Sequence, residues 1–193
     1  MKTVKEEGIF EIIINKSKFI GIICNVKNEN EVNLKIKRIK KIYKDATHYC
    51  YAYITKFKEK CFDDGEPSGT GGIPILNVLK KNKLTDVLCI VVRYFGGIKL
   101  GSGGLVRAYS SSASGALEKC TTGTLEKGYL ITIEFNYENV KSIDYVLKNY
   151  DIIKNYEDKI TYTFEVPLND YKTINEIQKY CKVIKKEEIL IIV

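Results

Sequence analysis

Three carboxylates, Asp63, Asp64 and Glu66, stand within four residues of one another in a chain whose only histidine is His48. Side chains of these types, gathered at one cleft, do acid–base work: a carboxylate takes a proton and an imidazole passes one on near neutral pH. His48, Asp63, Asp64 and Glu66 are therefore the catalytic candidates. The same residues have a structural reading, because Asp-Gly and Glu-Pro form turns and an aspartate beside glycine caps backbone amides. For His48 that reading is a ring hydrogen-bonded to the acidic loop. Cys50, two residues along, would share its strand face, but zinc needs two further ligands, so no metal or other cofactor is assigned. Ser110 to Ser112 offer hydroxyls, yet no G-x-S-x-G elbow exposes one as a nucleophile.

The acidic cluster opens the first of two glycine-dense segments, DDGEPSGTGGIP (63–74), and RYFGGIKLGSGGLVRAY (93–109) is the second. Ten of the 14 glycines fall between Gly65 and Gly115. Glycine gathers where the backbone takes positive φ or a partner approaches closely. A helix-like stretch follows each segment, and free amides at a helix start, with no side chain in the way, favour negative charge. In the first segment the candidate donors are Gly69, Gly71 and Gly72, with hydroxyls from Ser68 and Thr70. In the second they are Gly96, Gly97, Gly101, Gly103 and Gly104, with Ser102 and the Lys99 cation. This is not a nucleotide P-loop, since Ser102-Gly103 follows Gly101 where Lys-Ser/Thr is required.

Only three of the 31 basic residues are arginine, and two of them, Arg93 and Arg107, bracket the second segment. A guanidinium's planar fork binds phosphate or carboxylate bidentately. The competing reading is an internal pair with Asp63, Asp64 or Glu66. Tyr94 and Phe95, beside Gly96-Gly97, read either as a platform for a stacked base or as core. Residues 1–125 hold 21 Lys+Arg against 12 Asp+Glu, a net +9, while 126–193 carry −2. A positive surface on the glycine-rich half points to a polyanion. No apolar run reaches membrane-spanning length and MKTVKEEG lacks a signal-peptide core, so the expected location is cytoplasmic, without membrane contact. The six cysteines form no C-x-x-C pair and read as reduced and mostly buried.

Positioning these residues falls to two modules. Residues 9–14 and 19–26 read as a hairpin, Glu29–Lys44 as an amphipathic helix, and Thr47–Phe57 and Val87–Val92 as strands. Helices are expected at Pro74–Lys81 and Leu105–Lys119. After a hinge near Thr121–Gly128 the order becomes strand (129–135), helix (139–148), strands (151–156 and 160–166), helix (171–180) and strand (188–193). That is the split β-α-β arrangement of ferredoxin-like domains. The fold class is α+β, with domains at 1–125 and 126–193.

The segments KSKFIG (16–21), ATHYCYAY (46–53), DDGEPSGTGGIPIL (63–76) and VVRYFGGIKLGSGGLVRAY (91–109) closely resemble the YigZ/IMPACT family. The resemblance covers the first 125 residues in order and spacing. It implies an N-terminal βα domain like the second domain of a small-subunit ribosomal protein, followed by a ferredoxin-like domain similar to the fifth domain of elongation factor G. Both relatives touch RNA or the ribosome. Gly71 replaces the alanine usual before Gly72, and Tyr49 stands where many members have a second histidine. Two functions are then in play. One is a non-catalytic protein of the translation apparatus that grips RNA, the ribosome or a phosphate-bearing partner through the glycine segments, Arg93 and Arg107. The other is an enzyme for a small phosphorylated or acidic substrate.

Overall fold

Unbroken apolar runs at 19–24 and 87–92 leave no face for water, so the strands that carry them need cover on both sides. The computed structural model describes all 193 residues and divides them into two units, Met1–Gly123 and Thr124–Val193. The first contains β1 (Lys2–Val4), β2 (Gly8–Ile14), β3 (Ser17–Asn25), α1 (Glu29–Ile42), β4 (His48–Ile54), β5 (Glu59–Phe62), α2 (Gly72–Lys81), β6 (Val87–Tyr94) and α3 (Gly101–Glu118). Its antiparallel sheet runs β2-β3-β6-β4-β5.

Alternation along β3 and β6 divides the core into two layers. Phe19, Ile23, Cys89 and Val91 pack with Ile75 and Leu79 of α2 and Ala108 and Tyr109 of α3. Ile20, Ile22, Ile90 and Val92 point the other way and pack with Val32 and Ile39 of α1. That helix is capped at its start: the Asn28 side chain accepts from Glu31 N at 3.0 Å, and Glu31 Oε2 reaches back past the cap to accept from Lys27 N at 2.9 Å. Gly21 is where α3 comes nearest the sheet, since a Cβ there would stand 2.3 Å from the Ser112 carbonyl oxygen.

The second unit is built from β7 (Thr122–Phe135), α4 (Val140–Val146), β8 (Ile152–Tyr156), β9 (Ile160–Pro167), α5 (Lys172–Ile177) and β10 (Lys182–Ile192). Its strands pair antiparallel in the order β10-β7-β9-β8, the ferredoxin-like pattern. Ile131, Ile133, Tyr162 and Phe164 bury one sheet face against Ile143, Leu147, Ile174 and Ile177.

Four local expectations need correcting. The segment 47–57 is not one strand: Thr55 N donates to Lys58 O at 2.8 Å, turning the chain into β5. The two units divide at Gly123/Thr124, inside the expected 121–128, but the chain there is already extended in the first half of β7 and not an irregular linker. β10 starts at Lys182, because its charged residues 185–188 pair with Thr132–Tyr129 along a sheet edge. Most consequential for the site, α3 starts at Gly101, so Gly101, Gly103 and Gly104 are its first turn and not loop.

Gly21→Ala is expected to force α3 away from β3 and to cost about 1–3 kcal/mol. The measurement is urea unfolding, where the midpoint should fall at unchanged m-value.

Candidate anion-binding cleft

Asp63 leaves β5 pointing at the start of α2. Its Oδ1 accepts from Gly71 N at 2.9 Å and Gly72 N at 2.8 Å, and its Oδ2 accepts from Gly69 N at 2.9 Å. Burial opposes the charge, but three amide donors outweigh it and hold this carboxyl below its ordinary range. Glycine is required here because a Cβ on Gly71 would meet Cys50 Sγ at 2.6 Å and one on Gly72 would meet Phe62 N at 2.6 Å. The first glycine segment is therefore an anion nest whose anion is part of the chain, a correction to the expectation that these amides are free for a ligand. Thr70 is spent as well, its hydroxyl donating to Pro67 O at 2.7 Å, while Ser68 lies exposed on the loop.

The other acidic residues are also engaged. Asp64 Oδ2 accepts from Tyr49 N at 2.7 Å, and the Asp64 carbonyl accepts from His48 Nδ1 at 2.8 Å. Burial pushes the Cys50 thiol up to about 12, and its Sγ donates to Asp63 O at 2.8 Å, so it is no nucleophile. Glu66, 8% exposed, accepts through Oε1 from Arg93 Nη1 at 2.5 Å and from the Tyr109 hydroxyl at 2.7 Å. Burial first, then the neighbouring Cys50 and Glu66, raise Tyr109 far above the ordinary phenol range and keep it a donor.

Arg93 is 5% exposed, and its guanidinium carbon lies 5.3 Å from the ring centres of both Phe19 and Phe95. Nη2 donates to Ser17 Oγ at 3.4 Å, and buried Nε has no partner. The two arginines do not converge, which corrects the expectation that they back one site. Arg93 is an internal ion pair. Arg107 is exposed, makes no ion pair and does not line the cleft. Tyr94 turns to the α1 side of the sheet, where its hydroxyl donates to Lys44 O at 3.1 Å; Phe95 is the aromatic at the cleft. Gly96 is fixed by close approach, a Cβ there falling 2.0 Å from the Lys16 carbonyl.

What these residues frame is a cleft of about 420 Å³. Its base is His48, Glu66 and Arg93, its apolar walls are Phe95, Leu100 and Leu105, and Lys99, Gly101 and Ser102 bring the start of α3 to it. No side chain caps this helix, and its first turn holds no acidic residue. The amides of Gly101, Ser102 and Gly103 find no acceptor within the chain. An 18-residue helix with an uncapped start carries a partial positive charge there, and Lys99, exposed and without an ion pair, adds a full one. Gly97, at φ +84°, and Gly101, at φ +71°, take the left-handed conformations that lead the chain into this turn. Leu100, Leu105, Thr47 and Tyr109 were not candidates by residue type. Only the folded proximity of β4, β6 and α3 brings them to the site.

The Impact N-terminal domain family matches residues 15–117. The IMPACT family member YvyE of Bacillus subtilis (strain 168) is 52% identical over 118 residues, which are 60% of this chain and 54% of that protein, so the match spans about half of that relative's length. The IMPACT family member YigZ of Escherichia coli (strain K12) is 32% identical over 143 residues, 72% of this chain and 70% of that one. A solved structure described as the crystal structure of an hypothetical protein is similar with a TM-score of 0.62 at 25% identity, over 96% of this chain and 97% of that chain.

Asp63→Asn removes the charge from three amide donors and is expected to cost about 1–3 kcal/mol. Since folding lowers this carboxyl, its contribution is present above the ordinary value of 3.8 and is lost as pH falls below it. Acid unfolding of the variant, followed by circular dichroism, should accordingly have a shallower pH dependence below that value than that of the native chain.

Proposed function

The chain belongs to the IMPACT family, and we propose that its N-terminal unit is a binding and regulatory module of the translation apparatus that holds an RNA phosphate at the open start of α3. The observation that carries this reading is the contrast between two helix starts in one unit. At α2 the amides are satisfied by Asp63, whereas at α3 those of Gly101 to Gly103 have no acceptor of their own, and Gly101 and Ser102 line a cleft with Lys99 beside them. A phosphate oxygen is the acceptor such a turn favours. The net +9 of residues 1–125 supports a polyanion over an isolated anion, and Arg107, exposed further along α3, extends the positive surface. Phe95, 45% exposed, gives a base a ring to stack on.

Arg93 acts here through position. It fixes Glu66 and the ring of Phe95, and removing it would leave a buried carboxylate without its cation, so its loss would damage the fold and the site together. A second reading, an enzyme for a small phosphorylated substrate, draws on one observation, that the cleft volume of about 420 Å³ suits a single nucleotide-sized molecule.

Fluorescence anisotropy with a labelled single-stranded RNA tests the first reading. Binding is expected to weaken between about 50 and 200 mM salt, and Lys99→Ala should reduce the logarithmic salt slope by about 1 while leaving the thermal midpoint in place. Absence of any salt-sensitive association with RNA or ribosomes would overturn it.

A further inference from the structure

The base of the cleft presents two acceptor atoms, His48 Nε2 and Glu66 Oε2, that no donor of the chain fills. His48 Nδ1 lies 2.8 Å from the Asp64 carbonyl oxygen. A carbonyl can only accept, so Nδ1 carries the proton, and in the neutral ring Nε2 presents a lone pair. Opposite it stands Glu66, with Oε1 at 3.9 Å from Nε2, too far for a direct hydrogen bond. Oε1 is already served by Arg93 and Tyr109, but Oε2 receives no donor from the chain. Glu66 is more than nine-tenths buried and lines the cleft. Unlike Arg93 Nε, which is sealed away without a partner, Oε2 is open to a donor that enters the cleft.

The cleft therefore has two chemically opposite parts. The start of α3 and Lys99 offer donors and positive charge, while Glu66, its charge matched by Arg93, and His48 offer acceptors. A bare phosphate suits the first and brings the second no hydrogen to accept. A ligand that satisfies both carries an anion together with two adjacent hydroxyls, one for Glu66 Oε2 and one for His48 Nε2. With an apolar ring for Phe95, Leu100 and Leu105, that set of groups is a ribonucleotide. We infer that the cleft takes a nucleotide with a free ribose cis-diol, its hydroxyls donating to Glu66 and His48, in preference to the deoxy counterpart. This rests on the reading that the start of α3 receives phosphate.

Competition of labelled RNA by adenosine 5′-monophosphate, 2′-deoxyadenosine 5′-monophosphate and inorganic phosphate, using the full chain, tests the inference. The ribonucleotide is expected to compete about tenfold better than its deoxy form, the effect of roughly one hydrogen bond. His48→Ala should abolish that difference and leave inorganic phosphate competing as before. The comparison in the native chain decides the matter even should the variant fail to fold. Equal competition by the two nucleotides, or by neither while RNA still binds, overturns the diol site and leaves the phosphate reading intact. No binding of RNA, nucleotide or phosphate overturns both. RNA oligomers ending in a free 2′,3′-diol or in a 3′-phosphate separate the two sources of the diol: a preference for the first assigns an RNA end, and equal binding with the nucleotide difference retained assigns a free nucleotide.

Discussion

One buried carboxylate, that of Glu66, ties the first unit together at the point where the cleft begins. It joins the acidic loop to the end of β6 through Arg93 and to the middle of α3 through Tyr109. Such a charge is tolerated out of water because a guanidinium and a phenol meet it, and losing either leaves the other partner unsatisfied. The Arg93 ion pair is held between the rings of Phe19 and Phe95. In consequence the aromatic wall, the acidic base and the helix that supplies the open amides keep one fixed geometry.

The two glycine segments, alike in composition, end in different chemistry. At α2, Asp63 supplies the negative charge that the helix start favours, and the glycines there serve close packing against Cys50 and Phe62. At α3 no carboxylate caps the helix start, the glycines form the first helical turn, and Gly101 and Ser102 line a cleft. A side chain that fills one nest makes it scaffold. The other leaves its donors unfilled, in a half of the chain, residues 1–125, whose charge balance is positive.

Much of the fold is legible in the sequence because its signals are local. Unbroken apolar runs in β3 and β6 foretell a sheet covered on both sides, and apolar spacing of 3.6 residues marks α1. The short β5 is not legible, since Glu59–Phe62 has no apolar alternation and exists only by pairing with β4. Nor is the start of α3, where three glycines among Gly101–Gly104 disfavour helix and the tertiary packing of Leu105, Ala108 and Tyr109 overrides that preference. At the site, the residue types announce an acidic loop, a histidine bonded to it and scarce arginines. Which arginine is internal is decided by strand register, which places Arg93 opposite His48 and Phe19.

The central claim is that the start of α3, and not the start of α2, receives an anion. Amide NMR of the labelled chain during titration with inorganic phosphate and then single-stranded RNA tests it most directly. Progressive shifts are expected for Gly101, Ser102 and Gly103, with Gly69, Gly71 and Gly72 unmoved because Asp63 holds them. Shifts confined to the second set, or none in either, would contradict it.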